Sequence, residues 1–192
     1  MIETYYRILK HDPEGRLVKD TGLLPSHSYV IQFLEFFEGV WSVTDKNATD
    51  VTGAESVLVD VSDNFSGFMY VNAGAGVDTH GVVVGTNAGT TAEDNENFAL
   101  DTKIADGAGG GQLGYQAVTF VATRVVGPNV DLDISRVFVN TSGGTITVKE
   151  IGIIGLNAMD TKYHLHLRDV VSDEPVDNAE SLTVVYVLRT TV

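Results

Sequence analysis

From residue 45 to the carboxyl end, the sequence consists of short runs rich in Val, Ile, Thr, Phe and Tyr that are separated by Gly, Asn and Asp. β-Branched and aromatic residues favour strands, whereas glycine and the small polar residues favour turns. Short strands that alternate with turn residues at this spacing are typical of all-β folds. The sequence therefore predicts a mainly β protein, and more specifically an antiparallel β-sandwich of the jelly-roll type, built as one domain over residues 1–192.

The individual runs predict where the strands lie. We place them near residues 56–61, 67–71, 81–85, 98–102, 115–124, 132–140, 145–151, 163–171 and 182–190. Between two of these strands stands Thr141-Ser142-Gly143-Gly144, whose glycines suit the reversed twist of a tight hairpin loop. We therefore expect the strands on either side of this loop to pair with each other in one sheet.

The first 42 residues have a different pattern. Residues 3–10 and 16–19 flank Asp12-Pro13-Glu14-Gly15, a turn sequence that predicts an opening hairpin. Over residues 29–41 the apolar residues follow helical spacing, which predicts one N-terminal amphipathic helix with a wide apolar stripe. We expect this hairpin and helix, about residues 1–42, to pack on the sandwich or on a neighbouring subunit.

Composition excludes several classes of partner. The formal net charge is -14, and the few basic residues are scattered, which argues against duplex DNA or an anionic bilayer as the main partner. The chain has no cysteine, so disulfides, thiolate catalysis and cysteine metal sites are excluded. No long apolar run and no signal-peptide pattern appear, so we expect neither membrane insertion nor secretion.

His164 and His166 are the best candidates for metal ligands. They are separated by one residue in a predicted strand, so alternation places both imidazoles on one face at a spacing that can share a metal ion. The alternative is that both histidines lie on the solvent face while Leu165 and Leu167 fill the core. We favour the alternative, because no third ligand can be named.

Acidic clusters raise the question of a hard cation. Glu93-Asp94-Asn95-Glu96 and the pair Asp131 and Asp133 could hold Ca²⁺ at a subunit boundary, although a solvated loop is the favoured interpretation of each. No phosphate-binding loop, dinucleotide fingerprint, nucleophile elbow or zinc-protease helix is present. The sequence thus predicts no cofactor and no enzymatic activity.

Two sets of residues are candidates for a subunit interface. The first set is the aromatic cluster on the predicted helix, which we expect to pack against a sheet or a neighbouring subunit. It comprises Tyr29, Phe33, Phe36, Phe37 and Trp41. The second set is the rare positive charges Arg136, Lys149 and Arg168, at least one of which we expect to pair with a carboxylate across a strand or subunit boundary.

Several stretches resemble a pattern seen in uncharacterised structural proteins of tailed phages. They are GVVVGT at 81–86, RVFVNTSGGTITVKEIG at 136–152, LRDV at 167–170, SLTVVY at 181–186 and SHSYVIQFLE at 26–35. The chain departs from that pattern at Asn87, where another glycine is expected, and at the polar His164-Leu165-His166, which interrupts a plainer apolar strand. The resemblance spans most of the sequence.

The resemblance implies a virion component such as a capsid decoration protein, a head fibre or a tail-associated subunit. We therefore expect a non-enzymatic structural protein of the virion that forms a homo-oligomer or attaches to a viral particle through other virion proteins. One alternative is a carbohydrate- or receptor-binding β-sandwich, in which the glycine-rich segment 106–111 and Trp41 or a tyrosine line a shallow site. The other is a metal-dependent enzyme built on His164, His166 and an acidic residue.

Overall fold

A computed structural model describes residues 2–26, 29–42, 44–60, 69–158 and 160–191 of the chain. Within these residues the protein is mainly β, and every pairing between its strands is antiparallel. The elements are β1 (Ile2–His11), β2 (Leu17–Asp20), β3 (Leu24–Ser26), α1 (Ile31–Ser42), β4 (Lys46–Thr49), β5 (Glu55–Val59), β6 (Gly81–Gly85), β7 (Gly114–Tyr115), β8 (Thr119–Val126), β9 (Asn129–Val139), β10 (Ile146–Asn157), β11 (Lys162–Val176) and β12 (Ser181–Thr191).

The larger sheet has seven strands. Its order is β2-β1-β12-β9-β7, with β3 also paired to β1 and β8 also paired to β9. The first and last strands of the chain are neighbours in it, since β1 pairs with β12 from Ile2 opposite Thr190 to His11 opposite Ser181. The two edges of this sheet are therefore formed by β2 and β3 on one side and by β7 and β8 on the other.

A second sheet has three strands in the order β11-β10-β6, and β4 and β5 form a separate hairpin. The core contains side chains from both the larger and the second sheet. β6 is buried along its whole length, as its continuous apolar run Val82-Val83-Val84 predicts for a strand that is covered on both faces. The buried residues of this core include Ile8, Ile134, Phe138, Leu182, Val184 and Tyr186 of the larger sheet and Ile151, Ile153, Leu165 and Leu167 of the second sheet.

The second sheet is covered on its other face as well. On the side of the larger sheet, Tyr186 donates its hydroxyl hydrogen to Asp169 of β11 over 3.0 Å. On this same face, the ring of His166 lies 6.2 Å from that of Phe33 in α1, and His164 approaches Ser56 of β5. The register shift between Ile153 and Ile154 places His164, opposite Gly155, on the same side as Asp169, opposite Ile151. On the other face, Arg168 of β11 donates to Ala92 O and Asn97 Oδ1 in the segment that follows β6. Both faces of β11 are therefore covered by protein, although β11 is an edge strand of the second sheet.

The amino-terminal predictions are confirmed in part. The opening hairpin is present as β1 and β2, and the predicted helix is present as α1. The helix is not N-terminal, however, because three strands of the larger sheet precede it. The third of these, β3, pairs with Thr4, Tyr5 and Tyr6 of β1 and was not predicted.

The predicted hairpin around Thr141-Ser142-Gly143-Gly144 is wrong. β9 belongs to the larger sheet and β10 to the second sheet, so the loop connects two sheets. The side chain of Asn140 explains the crossing: its amide donates to the carbonyl oxygens of Gly144 and Val176, each over 2.7 Å, and its oxygen accepts from the Ser142 amide over 2.9 Å. These bonds replace the strand-to-strand bonds that a hairpin would have made.

Other predicted strands are shorter than expected or missing. Residues 98–102 form no strand, and 69–71 contribute one isolated bridge between Tyr70 and Leu156, while residues 67 and 68 lie outside the described part of the chain. The predicted strand 115–124 is split between β7 and β8. The segment from 86 to 113, between β6 and β7, is therefore a long connection without a named strand.

The end of β6 has no room for a side chain at Gly85. A Cβ atom there would lie 2.4 Å from Glu150 Oε1 and 2.7 Å from the Thr102 carbonyl oxygen. We expect Gly85→Ala to lower the free energy of unfolding by about 1–3 kcal/mol, because buried backbone must move. The control is Gly144→Ala, whose Cβ would meet nothing within 4 Å. Equal denaturation midpoints for the two variants would contradict this prediction.

Candidate functional site

Arg168 and Glu150 form an ion pair inside the protein. Their side chains are 1% and 0% exposed, and Arg168 Nε donates to Glu150 Oε2 over 2.9 Å. The remaining guanidinium nitrogens bind the connection that follows β6: Nη1 donates to Ala92 O and Asn97 Oδ1, each over 2.9 Å. Nη2 donates to the Thr91 carbonyl oxygen over 3.2 Å. Arg168 thus fastens this connection to β11.

Glu150 binds the same connection from β10. Its Oε1 accepts from the amides of Thr102 over 2.8 Å and Asn87 over 3.3 Å, and its Oε2 accepts from the amide of Asp101 over 3.0 Å. The carboxylate therefore has three amide donors in addition to Arg168. This explains why residues 98–102 form no strand: two of their amides bond to a carboxylate instead of a neighbouring strand.

Arg136 of β9 is a second buried arginine, and it binds the segment that leads into β6. It is 1% exposed and donates to five carbonyl oxygens, and its guanidinium carbon lies 4.6 Å from the centre of the Tyr115 ring. Burial lowers the pKa of Arg136 from its usual value. The five acceptors belong to Gly74, Val77, His80, Val82 and Gln116, at distances of 2.5 to 3.2 Å.

The positions of the basic residues bear on two expectations, that they pair with carboxylates and that they lie at a subunit interface. The expected carboxylate pairing is confirmed within the chain, by Arg168 with Glu150 across β11 and β10 and by Lys149 with Asp173 over 3.1 Å. Arg136 and Arg168 are both buried in a single copy, so neither presents a surface to a neighbour. We therefore assign them to the core and do not include them in the proposed interface.

Replacing Arg168 should destabilise the protein strongly. Arg168→Ala would leave Glu150 buried without its charge partner, so we expect the free energy of unfolding to fall by about 3–5 kcal/mol in chemical denaturation. The matched control is Arg16→Ala: Arg16 is 74% exposed and pairs with Asp12 on the surface, and such pairs contribute about 0–1 kcal/mol. If both variants lost the same small amount, about 0–1 kcal/mol of unfolding free energy, the buried ion pair would not be important for stability.

The two histidines are not on the solvent face. Each is 1% exposed, so the expectation that they face solvent is wrong, whereas Leu165 and Leu167 are buried in the core as expected. His164 Nε2 lies 3.5 Å from Ser56 Oγ, and His166 lies between Phe33 and Phe36, with neither ring nitrogen hydrogen-bonded. The sequence could not show that a second layer covers this face, because alternation looks the same in both cases.

The histidine pair has no third ligand in the described residues. No group of three or more His, Cys, Asp or Glu side chains in this part of the chain is arranged to hold a metal ion. Burial, with a smaller contribution from His164, lowers the pKa of His166 to about 3. His166 is therefore a neutral, buried imidazole at physiological pH.

This burial predicts a loss of stability in acid. The unfolded chain binds a proton at His166 below about pH 6.5, whereas the folded chain does so only near pH 3, so stability falls as pH falls through this window. The slope from this one group approaches about 1.4 kcal/mol per pH unit. We expect His166→Leu to show a shallower decline than the parent in denaturation series between pH 6.5 and 4. Parallel curves would refute the assignment.

The aromatic cluster of α1 packs inside the chain. The ring centres of Tyr29 and Phe33 are 4.3 Å apart, and those of Phe33 and Phe37 are 5.0 Å apart. Phe36 lies 5.4 Å from Phe37 and also contacts the small core of β4 and β5. Packing against a sheet, one of the two expected roles, is what these residues do; the side chain of Trp41 lies outside the described residues.

The acidic clusters do not converge on one site. Arg189 binds Asp131 through two bonds of 2.7 and 2.8 Å, and Arg124 binds Asp133 over 2.7 Å. In the other cluster, Glu93 accepts from the Val170 amide over 2.8 Å. These carboxylates have protein partners, so calcium binding there stays a prediction.

Two surface concavities are next to α1. A groove of about 440 Å³ lies between α1 and the β4–β5 hairpin, and its described lining residues include Glu35, Glu55 and Glu96. Burial raises the pKa of Glu35 from its usual value. A smaller apolar cavity of about 170 Å³ includes His166, Phe33 and Met69. The groove offers oxygen acceptors to polar or cationic groups, and the cavity offers an apolar surface.

Exposed apolar residues are concentrated at the two edges of the larger sheet, which the sequence analysis did not identify. At one edge lie Leu17, Val18, Leu23 and Leu24, 37% to 53% exposed, and we call these the β2–β3 patch. At the other lie Phe120, Val121, Val125 and Val126, 44% to 77% exposed, which we call the β8 patch. The signal was present, since Thr119–Val126 lacks the alternation of a half-buried strand.

Comparison with known proteins adds no relative. No protein-family model, curated protein or solved structure matches the chain. Among the described residues, no helix has the length and apolar character that a membrane crossing requires.

Proposed function

We propose that the protein is a non-enzymatic structural subunit that assembles with copies of itself, as a component of a tailed-phage virion. The observation that carries the proposal is the pair of apolar patches at the two edges of one sheet. Edge strands present unpaired backbone groups, and soluble proteins usually protect them with charge or cover. An apolar strand at an exposed edge is instead suited to contact with another protein surface.

The arrangement of the patches supports assembly over simple docking. They lie on opposite edges of the seven-stranded sheet, at β2 and β3 on one side and at β8 on the other. A subunit with two separate contact surfaces can join two neighbours, which is what a ring, tube or shell requires. A subunit with a single contact would stop at a dimer.

A jelly-roll sandwich would fit the role of a virion subunit. We infer that the larger sheet and the second sheet form a sandwich of jelly-roll type, supported by the core cluster to which both contribute. Jelly rolls occur in viral capsid proteins. The assignment to a virion rests on the resemblance of residues 81–86 and 136–152 to tailed-phage structural proteins.

The test is the size of the purified protein in solution. We expect light scattering to show species larger than a monomer, growing with concentration, and electron microscopy to show a regular particle. The double variant Leu17→Glu, Val125→Glu places a carboxylate in each patch and should shift the protein to monomer, because assembly would then bury an unpaired charge in an apolar contact.

Leu34→Glu is the matched control for this experiment. Leu34 is 65% exposed on α1 and belongs to neither patch, so its replacement adds a surface carboxylate without changing either patch. It should assemble as the parent does. A parent protein that remains monomeric at every concentration, or a control that dissociates as fully as the double variant, would overturn the proposed function.

A further inference from the structure

β8 is an exposed edge strand of the larger sheet. Among the described residues it pairs with β9 alone, and seven of its eight residues are exposed. Val125 is 77% exposed and Phe120 45%. A strand in this position has its outer N–H and C=O groups available for a further strand.

The pairing of β8 with β9 fixes the face on which each side chain lies. Phe120 stands opposite Ile134, and Val125 stands opposite Val130. Between them the register shifts, since Val121 is opposite Asp133 and Arg124 opposite Asp131. This bulge of one residue puts Phe120 and Val125 on the same face, although five positions separate them. Val121 and Arg124 share the other face.

This pattern is self-complementary under a two-fold rotation. If two copies of β8 run antiparallel with the axis between Ala122 and Thr123, Phe120 of each copy stands opposite Val125 of the other. The bulge of each copy then lies on the axis, so residues that stand opposite each other have their side chains on the same face of the joined sheet. Aromatic and β-branched residues are favourable cross-strand partners. Shifting the register by one residue would place Phe120 opposite a side chain of the other face.

We propose that β8 pairs with β8 of a second copy in this register and joins two seven-stranded sheets into one. The inference rests on the proposed function and specifies one of its contacts. A closed two-fold contact of this kind leaves the β2–β3 patch of each copy free for the next contact.

Charge favours a second copy as the occupant. The protein carries a formal net charge of -14, so most of its surface repels a copy of itself. The segment Thr119–Val126 has no acidic residue, and its single charge, Arg124, is bound to Asp133 of its own chain. This edge is therefore a place where two identical acidic molecules can meet with little repulsion.

Disulfide cross-linking tests the register directly, because the chain has no cysteine of its own. We prepare Phe120→Cys and Val125→Cys as separate proteins and oxidise each alone and as an equal mixture. Facing residues of paired strands have Cα atoms about 4.5–5.5 Å apart, which suits a disulfide. Identical positions would lie about 16 Å apart, five residues along the strand. We expect the mixture to give several-fold more cross-linked dimer than either protein alone.

A second pair protects the test against a variant that folds poorly. Thr119→Cys and Val126→Cys also face each other in the proposed register and should behave in the same way. Leu34→Cys, on α1, is the control for random collisions. A mixture of Leu34→Cys with Phe120→Cys should give no more cross-linked dimer than either protein alone. Circular dichroism of each variant checks that the fold is retained.

The outcomes separate this contact from the proposed function. Cross-linking in both mixtures, above the single variants, supports the two-fold pairing. Cross-linking of a single variant alone to the same extent, or absence of cross-linking in both mixtures, overturns it. In those cases the size distribution of the parent protein still decides the proposed function, because assembly through other surfaces would persist without this contact.

Discussion

Two irregular parts of the chain, the connection between β6 and β7 and the segment that leads into β6, depend on buried guanidinium groups. Irregular backbone cannot satisfy its own polar groups as a strand does, and leaving them unpaired inside a protein is costly. Arg168, with Glu150, binds residues between 87 and 102, and Arg136 binds carbonyl oxygens of residues 74, 77, 80 and 82 and of 116. Side chains from three long strands thus replace the missing ladder bonds, and the positions of both irregular parts follow from the strands that bind them.

Arginine is suited to this role where lysine is not. Its planar group has five donors in fixed directions and is weakly hydrated, so it can serve several carbonyl oxygens at once inside a protein. Arg136 makes five such bonds and also stacks on Tyr115. The negative partner differs between the two sites: Glu150 balances Arg168 at full burial, whereas Arg136 is surrounded mainly by carbonyl dipoles. In both cases the charge is retained because its surroundings are polar.

The sequence predicted those features that local patterns determine. The spacing of apolar residues over 29–41 predicted α1, and the turn residues at 12–15 predicted the β1–β2 hairpin. It failed where a remote partner decides the outcome. Asn140 binding to Val176 turns the 141–144 loop into a crossing between sheets, and α1 and β5 cover the face on which His164 and His166 lie. The burial of Arg136 and Arg168 was missed for the same reason, since charged residues are normally exposed and nothing nearby in sequence marks their partners.

The same reasoning explains why the edges of the larger sheet are the informative surfaces. A strand whose residues are exposed on both faces obtains little stabilisation from its own chain, so its apolar composition needs another explanation. In the interior, buried carboxylates are matched to partners that can be named, as Asp169 is to Tyr186 and Glu150 to Arg168. Thr119–Val126 is an exposed strand in which apolar side chains such as Val125 are left uncovered by the residues described. Because its pattern matches its own reverse across a two-fold axis, the neighbour that completes it is most simply a second copy of the same chain.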